Sequence, residues 1–127
     1  MSTGISGVST IILRVSDLAR STAFYRDQVG LPLAMAFESF AFFQAGGLRL
    51  ALNENKATAG NDRGLTEIVF DCADIDATYA ALNKAGISFS RAPRVVSADA
   101  THEILATDFR DPDGHVLSIM GRKVKAS

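Results

Sequence analysis

Few residues in this chain have side chains that do chemistry near neutral pH. There are two histidines, His102 and His115, and one cysteine, Cys72. His102 lies where a predicted strand begins, and its imidazole could act as a general acid or base. The next residue, Glu103, points to the opposite face of a strand, so the pair is not a two-ligand metal motif. His115 follows a turn and is expected to be structural, and Cys72 is expected to pack as a small hydrophobic residue.

Composition narrows the class of function. The 127 residues are 47% hydrophobic and 21% charged, which predicts a single domain over residues 1–127. The net charge of −1 provides no basic surface for phosphates, so we expect no nucleic-acid partner. No apolar run approaches the roughly 20 residues of a membrane span, so no membrane partner is expected either. The N-terminal residues lack the features of a signal peptide, which favours a cytoplasmic location.

One pattern of residues occurs twice in the chain. Residues 10–18 match residues 67–75, and a constant offset of 57 positions relates Asp17 to Asp74. Residues 42–52 match residues 109–119, with an offset of 67 that relates Gly47 to Gly114. The repeat predicts two copies of one structural module, whose equivalent positions can be compared.

Each copy predicts the same order of elements, a strand followed by a helix and three strands. Asp17 and Asp74 are suited to cap the two helices, because a carboxylate accepts hydrogen bonds from first-turn N–H groups. Gly30 and Gly86 are suited to end them. Module one is predicted at residues 8–53, a polar linker at 54–64 and module two at 65–121. The predicted strands are residues 8–15, 31–37, 40–44 and 48–53, then 65–72, 87–91, 102–109 and 115–120, with a looser stretch at 92–100. The expected fold class is α+β, with two tandem βαβββ modules.

Two segments resemble the vicinal oxygen chelate superfamily. They are residues 15–31, which begin Val-Ser-Asp-Leu, and residues 109–117, which contain Asp-Pro-Asp-Gly-His. This superfamily includes glyoxalase I, bleomycin-resistance proteins, fosfomycin-resistance enzymes and extradiol dioxygenases. The resemblance covers residues 8–121. It implies an open eight-stranded mixed sheet, or half-barrel, around a cleft that often holds a divalent metal, and it implies a homodimer.

The resemblance also indicates where metal ligands would lie, on the first and last strands of each module. The four equivalent positions here are Thr10, Ala51, Glu67 and Ser118. Iron, zinc and nickel sites combine imidazole with carboxylate, whereas these positions supply one carboxylate, two hydroxyls and a methyl group. We therefore predict no metal cofactor. The alternative is a weakly held Mg²⁺ bound by Glu67 and water.

Strand alternation identifies the side chains that line the expected cleft. Glu67 is either a polar anchor or general base for a ligand, or a carboxylate satisfied by Arg49 or Thr10. Arg49 either pairs with an anionic ligand or is such a partner. The predicted ligand-binding residues are Thr10, Ile12, Arg49, Ala51, Asn53, Glu67, Val69, Val116, Ser118 and Met120.

Four phenylalanines lie on two short predicted strands: Phe37, Phe40, Phe42 and Phe43. Half of them are expected to pack in the core, and the others to face the cleft or a dimer partner.

Three kinds of function are consistent with these features. The first is a small-molecule-binding protein of the bleomycin-resistance type, which the metal-poor positions favour. The second is a metal-dependent or Mg²⁺-assisted lyase, isomerase or dioxygenase, in which Glu67 is base or ligand and His102 is a further catalytic candidate. The third is an accessory domain. The sequence leaves open whether the chain is an enzyme. Its expected partners are a small organic ligand and a second copy in a homodimer.

Overall fold

The computed structural model describes residues 3–58 and 66–125. The chain divides into two compact units, Met1–Ala59 and Gly60–Ser127, which we call module one and module two. Each contains a four-stranded mixed sheet and a helix between its first two strands, so the α+β class and the repeated βαβββ plan are confirmed. No helix in the described ranges is long and apolar enough to cross a membrane.

The elements of module one are β1 (Thr10–Val15), α1 (Leu18–Ala23), β2 (Leu33–Ala36), β3 (Phe40–Ala45) and β4 (Leu48–Glu54). Its sheet has the order β1-β4-β3-β2, in which β1 and β4 are parallel and the other pairs are antiparallel. Helix α1 continues directly into a π-helical segment, Phe24–Val29, and a 3₁₀ turn, Lys56–Thr58, follows β4.

The elements of module two are β5 (Glu67–Asp71), α2 (Ile75–Lys84), β6 (Arg94–Ala98), β7 (His102–Arg110) and β8 (Val116–Val124). They repeat the topology of module one, with the order β5-β8-β7-β6 and a parallel β5–β8 pair. Strand β8 therefore runs beyond the predicted end at residue 120.

The predicted helix caps are present in both modules. The Asp17 carboxylate accepts from Arg20 N at 3.0 Å, and the Asp74 carboxylate accepts from Ala77 N at 3.1 Å. Gly30 ends the helical segment of module one with a φ of 88°, a left-handed conformation that favours glycine. Both helices begin where the sequence predicted.

The strand predicted at residues 87–91 was wrong. The observed strand β6, Arg94–Ala98, lies in the stretch that was expected to be loose. The apolar residues of 87–91 pack in the core without pairing in the sheet. Ile87 is buried, and the ring of Phe89 lies 4.8 Å from that of Tyr79 and 5.3 Å from that of Phe109. The apolar pattern therefore indicated that the segment is buried, and a buried segment can be either a strand or irregular.

The core of each module lies on one face of its sheet. In module one Tyr25, Phe43 and Leu50 are almost completely buried, and the Tyr25 and Phe43 rings lie 6.0 Å apart. In module two Ile75 from α2 is buried together with Leu117 of β8. Because side chains alternate along a strand, the opposite face carries the residues predicted to line a cleft.

Of Phe37, Phe40, Phe42 and Phe43, only Phe43 is buried, so fewer of them pack in the core than the expected half. Phe43 is fully buried, whereas Phe37 is 60% exposed. Phe42 lies 6.1 Å from Phe37 and 5.7 Å from Phe40, ring to ring, and the second pair is stacked.

Candidate functional site

Module two contains a pocket of about 280 Å³. Its volume is close to the lower end of the range for small-molecule sites. It is lined by Glu67 and Val69 of β5, Ser118 and Met120 of β8, Ala106, Thr107 and Asp108 of β7, Arg94 and Val96 of β6, and Arg91 from the segment before β6. We call this the module-two pocket.

Two residues at the superfamily's ligand positions meet in this pocket. The hydroxyl of Ser118 donates a hydrogen bond to Oε2 of Glu67. Ser118 is only 4% exposed, whereas Glu67 is exposed at the pocket surface. The bond uses the one proton of the serine hydroxyl, while the carboxylate keeps lone pairs that can accept from a ligand.

Strand pairing places a second carboxylate beside Ser118. Asp108 on β7 is the direct antiparallel partner of Ser118, so their side chains lie on one face of the sheet. Val69 on β5 is the partner of Ser118 on the other side. Glu67 and Asp108 therefore approach Ser118 from opposite neighbouring strands.

Two arginines of the pocket were missed by the sequence analysis. Arg94 begins β6 and pairs with Ala106, and Arg91 lies just before that strand. The Thr107 hydroxyl donates to the carbonyl oxygen of Arg91 at 2.8 Å, and Thr107 is only 5% exposed. This hydrogen bond holds the backbone of Arg91 against the sheet, and strand pairing with Ala106 places Arg94.

The structure brings together some of the predicted ligand-binding residues. Those that line the module-two pocket are Glu67, Val69, Ser118 and Met120. Val116 is half-buried and pairs with Glu67 in the sheet, but it is not among the lining residues.

The other predicted ligand-binding residues lie in module one, on β1 and β4. Thr10 is the direct partner of Arg49, and Ile12 is the direct partner of Ala51, in the parallel pairing of β1 with β4. Asn53 is half-buried near the end of β4. Ile12 is 47% exposed, but Ala51 is fully buried and presents no surface to a ligand.

His102 is not part of the module-two pocket. It pairs with Val124 at one end of β7, whereas Asp108 pairs with Ser118 six residues further along, a distance of about 20 Å in a strand. His102 Nδ1 lies 2.8 Å from Thr101 Oγ1, and its backbone N–H donates to Asp99. Hydrogen bonds from the backbone N–H groups of Thr101 and His102 lower the pKa of the Asp99 carboxyl. These contacts stabilise the turn between β6 and β7.

The remaining two candidates, His115 and Cys72, form hydrogen bonds within module two. The N–H of His115 donates to Asp111 Oδ1 at 2.8 Å within the turn before β8. The Cys72 thiol donates to the carbonyl oxygen of Met120 at 3.3 Å, and burial raises the pKa of this thiol. A raised pKa leaves less thiolate at a given pH, which makes Cys72 a weak nucleophile.

The side chains at the implied metal positions do not fit a transition metal. In module two these are Glu67 and Ser118, which are joined by a hydrogen bond. In module one they are Thr10 and Ala51. None of them is an imidazole or a thiolate. Throughout residues 3–58 and 66–125, no three His, Cys, Asp or Glu side chains come together as a group that could hold a metal ion.

Comparison with known proteins shows the family. A model of the Glyoxalase/Bleomycin resistance protein/Dioxygenase superfamily matches residues 7–119, and the chain belongs to this superfamily. Among its relatives, the metallothiol transferase FosB of Lysinibacillus sphaericus is 30% identical over 115 residues, which cover 87% of this chain and 79% of that protein. FosB of Staphylococcus haemolyticus is 38% identical over 74 residues, which cover 57% of this chain. The match spans 53%, about half, of that relative's length.

Solved structures show the same fold. A protein of unknown function from Agrobacterium tumefaciens is 25% identical, with a TM-score of 0.76 over 94% of this chain and 96% of that one. A lactoylglutathione lyase from the same organism is 20% identical, with a TM-score of 0.73 over 92% of this chain and 94% of that one.

Proposed function

We propose that this chain is a small-molecule-binding protein of the glyoxalase/bleomycin-resistance type, whose ligand binds in the module-two pocket without a tightly bound metal. The hydrogen bond from Ser118 to Glu67 is the observation that carries the proposal. This hydrogen bond joins Glu67 and Ser118 at the surface of the pocket. These are the two module-two residues at the positions where the resemblance implies metal ligands in the superfamily's metal enzymes.

The chemistry of the lining supports a small organic ligand. Val69 and Met120 supply apolar surface next to the Glu67–Ser118 pair. A pocket that combines apolar walls with a few polar groups suits a small organic molecule. The apolar walls remove the ligand from water, and the polar groups fix its orientation. In this arrangement Glu67 is the polar anchor of the site.

A second candidate function is a metal-dependent enzyme of the same superfamily. Similarity to proteins named metallothiol transferase FosB favours it. In this case Glu67 would be a ligand of a hard ion such as Mg²⁺, or a general base.

A binding screen separates the two functions. The full chain is screened against a library of small polar organic molecules, first in EDTA and then with Mg²⁺, Mn²⁺ or Zn²⁺ added. The proposal predicts that ligands bind in EDTA and that Glu67→Gln weakens them about ten-fold or more, because a hydrogen bond to a charged group is lost. Ser118→Ala weakens them less, because the carboxylate remains.

Glu38→Gln is the matched control, since Glu38 is an exposed glutamate in module one. Its binding should equal that of the unaltered chain. Binding or turnover that depends on an added divalent ion would support the enzyme instead.

A further inference from the structure

The module-two pocket is lined by charged side chains of both signs. Its carboxylates, Glu67 and Asp108, flank Ser118 on strands β5 and β7, and its guanidinium groups belong to Arg91 and Arg94 at the β6 edge. Sheet strands lie about 4.8 Å apart, so Glu67 on β5 is roughly 14 Å from the β6 edge in the order β5-β8-β7-β6, whereas Asp108 on β7 is one strand from that edge. Side chains that reach inward from both edges leave room for one small molecule.

One end of the pocket offers hydrogen-bond acceptors. The Ser118 proton is committed to Glu67, so the serine oxygen, the second oxygen of Glu67 and the Asp108 carboxylate can only accept. An ammonium group has three N–H donors and a positive charge, and it matches these three acceptors.

The other end offers only donors. Arg91 and Arg94 carry guanidinium groups, which bind carboxylates through paired N–H donors. Within the described residues, none of the four pocket charges forms an ion pair with another side chain. Charges of both signs thus line the pocket without neutralising one another.

We infer that the ligand of this pocket is a small zwitterion of amino-acid size, with its ammonium group at Glu67, Ser118 and Asp108 and its carboxylate at Arg91 and Arg94. This inference rests on the proposed function and specifies the class of ligand. Thr107 is a positioning residue for the carboxylate end, because its hydroxyl holds the backbone carbonyl of Arg91.

Four compounds with the same carbon skeleton test the inference. They are pentanoate, pentylamine, and the α-amino and ω-amino derivatives of pentanoate. Each is titrated into the ¹⁵N-labelled full chain in EDTA, and affinity is read from the amide shifts of pocket residues. At least one amino derivative should bind about ten-fold or more tightly than both pentanoate and pentylamine, because only it engages both ends.

Variants assign the two ends of the ligand. Glu67→Gln should lower the affinity for the amino derivative and leave that for pentanoate unchanged, whereas Arg94→Gln should weaken both. Thr107→Val removes the hydroxyl at similar size and should weaken pentanoate, and Thr107→Ser keeps the hydroxyl and should restore binding. Unchanged amide shifts away from the pocket show that each variant is folded.

Several outcomes would overturn the inference. One is equal affinity for pentanoate and its amino derivatives, and another is equal weakening of all four compounds by Glu67→Gln. If none of the four binds while the library yields other Glu67-dependent ligands, the zwitterion is wrong and the proposed function stands. If amide shifts occur only outside the pocket, both are wrong.

Discussion

Ser118 on β8 donates its hydroxyl proton to Glu67 on the parallel neighbour β5. At the equivalent positions of module one stand Thr10 and Ala51. Because Ala51 has only a methyl group, module one cannot form this hydrogen bond. The two copies therefore share a topology, while the Glu67–Ser118 hydrogen bond exists in module two alone.

This hydrogen bond should contribute to stability as well as to binding. Ser118 is buried, so Ser118→Ala should lower the free energy of unfolding by about 1 kcal/mol. Chemical denaturation measures the change. Ser97→Ala, at an exposed position on β6, is the control and should have a smaller effect. Equal losses for the two variants would show that the bond contributes nothing specific.

Gly121 on β8 should not tolerate a side chain. A Cβ atom there would lie 2.9 Å from Cβ of Ile75 and 3.1 Å from the carbonyl oxygen of Cys72. Gly121→Ala should therefore cost about 1–3 kcal/mol of stability through overpacking. Gly47→Ala is the matched control, because a Cβ at Gly47 meets no atom within 4 Å. A melting temperature for Gly121→Ala equal to that of the control would contradict the packing of α2 on β8.

The two helix caps should differ in their energetic contribution. Replacing either Asp17 or Asp74 by alanine removes a carboxylate acceptor, at a cost of about 1 kcal/mol. The first helix also has Glu54, whose carboxylate accepts from Leu18 N at 2.9 Å, whereas the equivalent of Glu54 in module two is Gly121. We expect Asp74→Ala to destabilise more than Asp17→Ala in thermal unfolding.

Asparagine replacements keep a cap acceptor and serve as controls for both positions. They should recover most of the stability that alanine loses. If Asp17→Ala were the more destabilising change, the extra acceptor from Glu54 would have no energetic role.

The Cys72 thiol should react slowly with alkylating reagents. Burial raises its pKa, so at a given pH less thiolate is present than for an ordinary cysteine. The rate of iodoacetamide labelling should therefore rise at higher pH in the folded chain than in the same chain unfolded by denaturant. The raised pKa also links the free energy of unfolding to pH. The contribution of the protonated thiol to stability is present below the pKa of the unfolded chain, and it is lost as the pH rises through the pKa of the folded chain. Coincident pH profiles for folded and unfolded chains would contradict this prediction.

The repeat allowed much of the fold to be predicted from the sequence. The offset of 57 relates Thr10 to Glu67, and the offset of 67 relates Arg49 to Val116. In the structure Thr10 pairs with Arg49 and Glu67 pairs with Val116, so the two offsets also describe the register of each parallel pair. Helix starts were predictable for a local reason, since a capping aspartate acts within three residues.

The candidate site was only partly predictable. Glu67 and Ser118 were identified individually, but their hydrogen bond depends on strand register. Arg91 and Arg94 were missed because β6 was placed at residues 87–91, where buried apolar side chains resemble a strand. The Thr107 hydroxyl that fixes Arg91 acts across 16 positions of sequence, beyond any local pattern. The homodimer and the cytoplasmic location stay predictions.

The metal content of purified, tag-free protein tests the central claim, that Glu67 and Ser118 bind a ligand and not a metal. It is measured by elemental analysis of the full chain after mild dialysis. The claim predicts far less than one equivalent of nickel, zinc, iron or manganese per chain, because the donor set lacks imidazole and thiolate. Close to one equivalent of any of these ions, lost in Glu67→Gln but kept in Glu38→Gln, would contradict it and make the chain a metal-binding member of its superfamily.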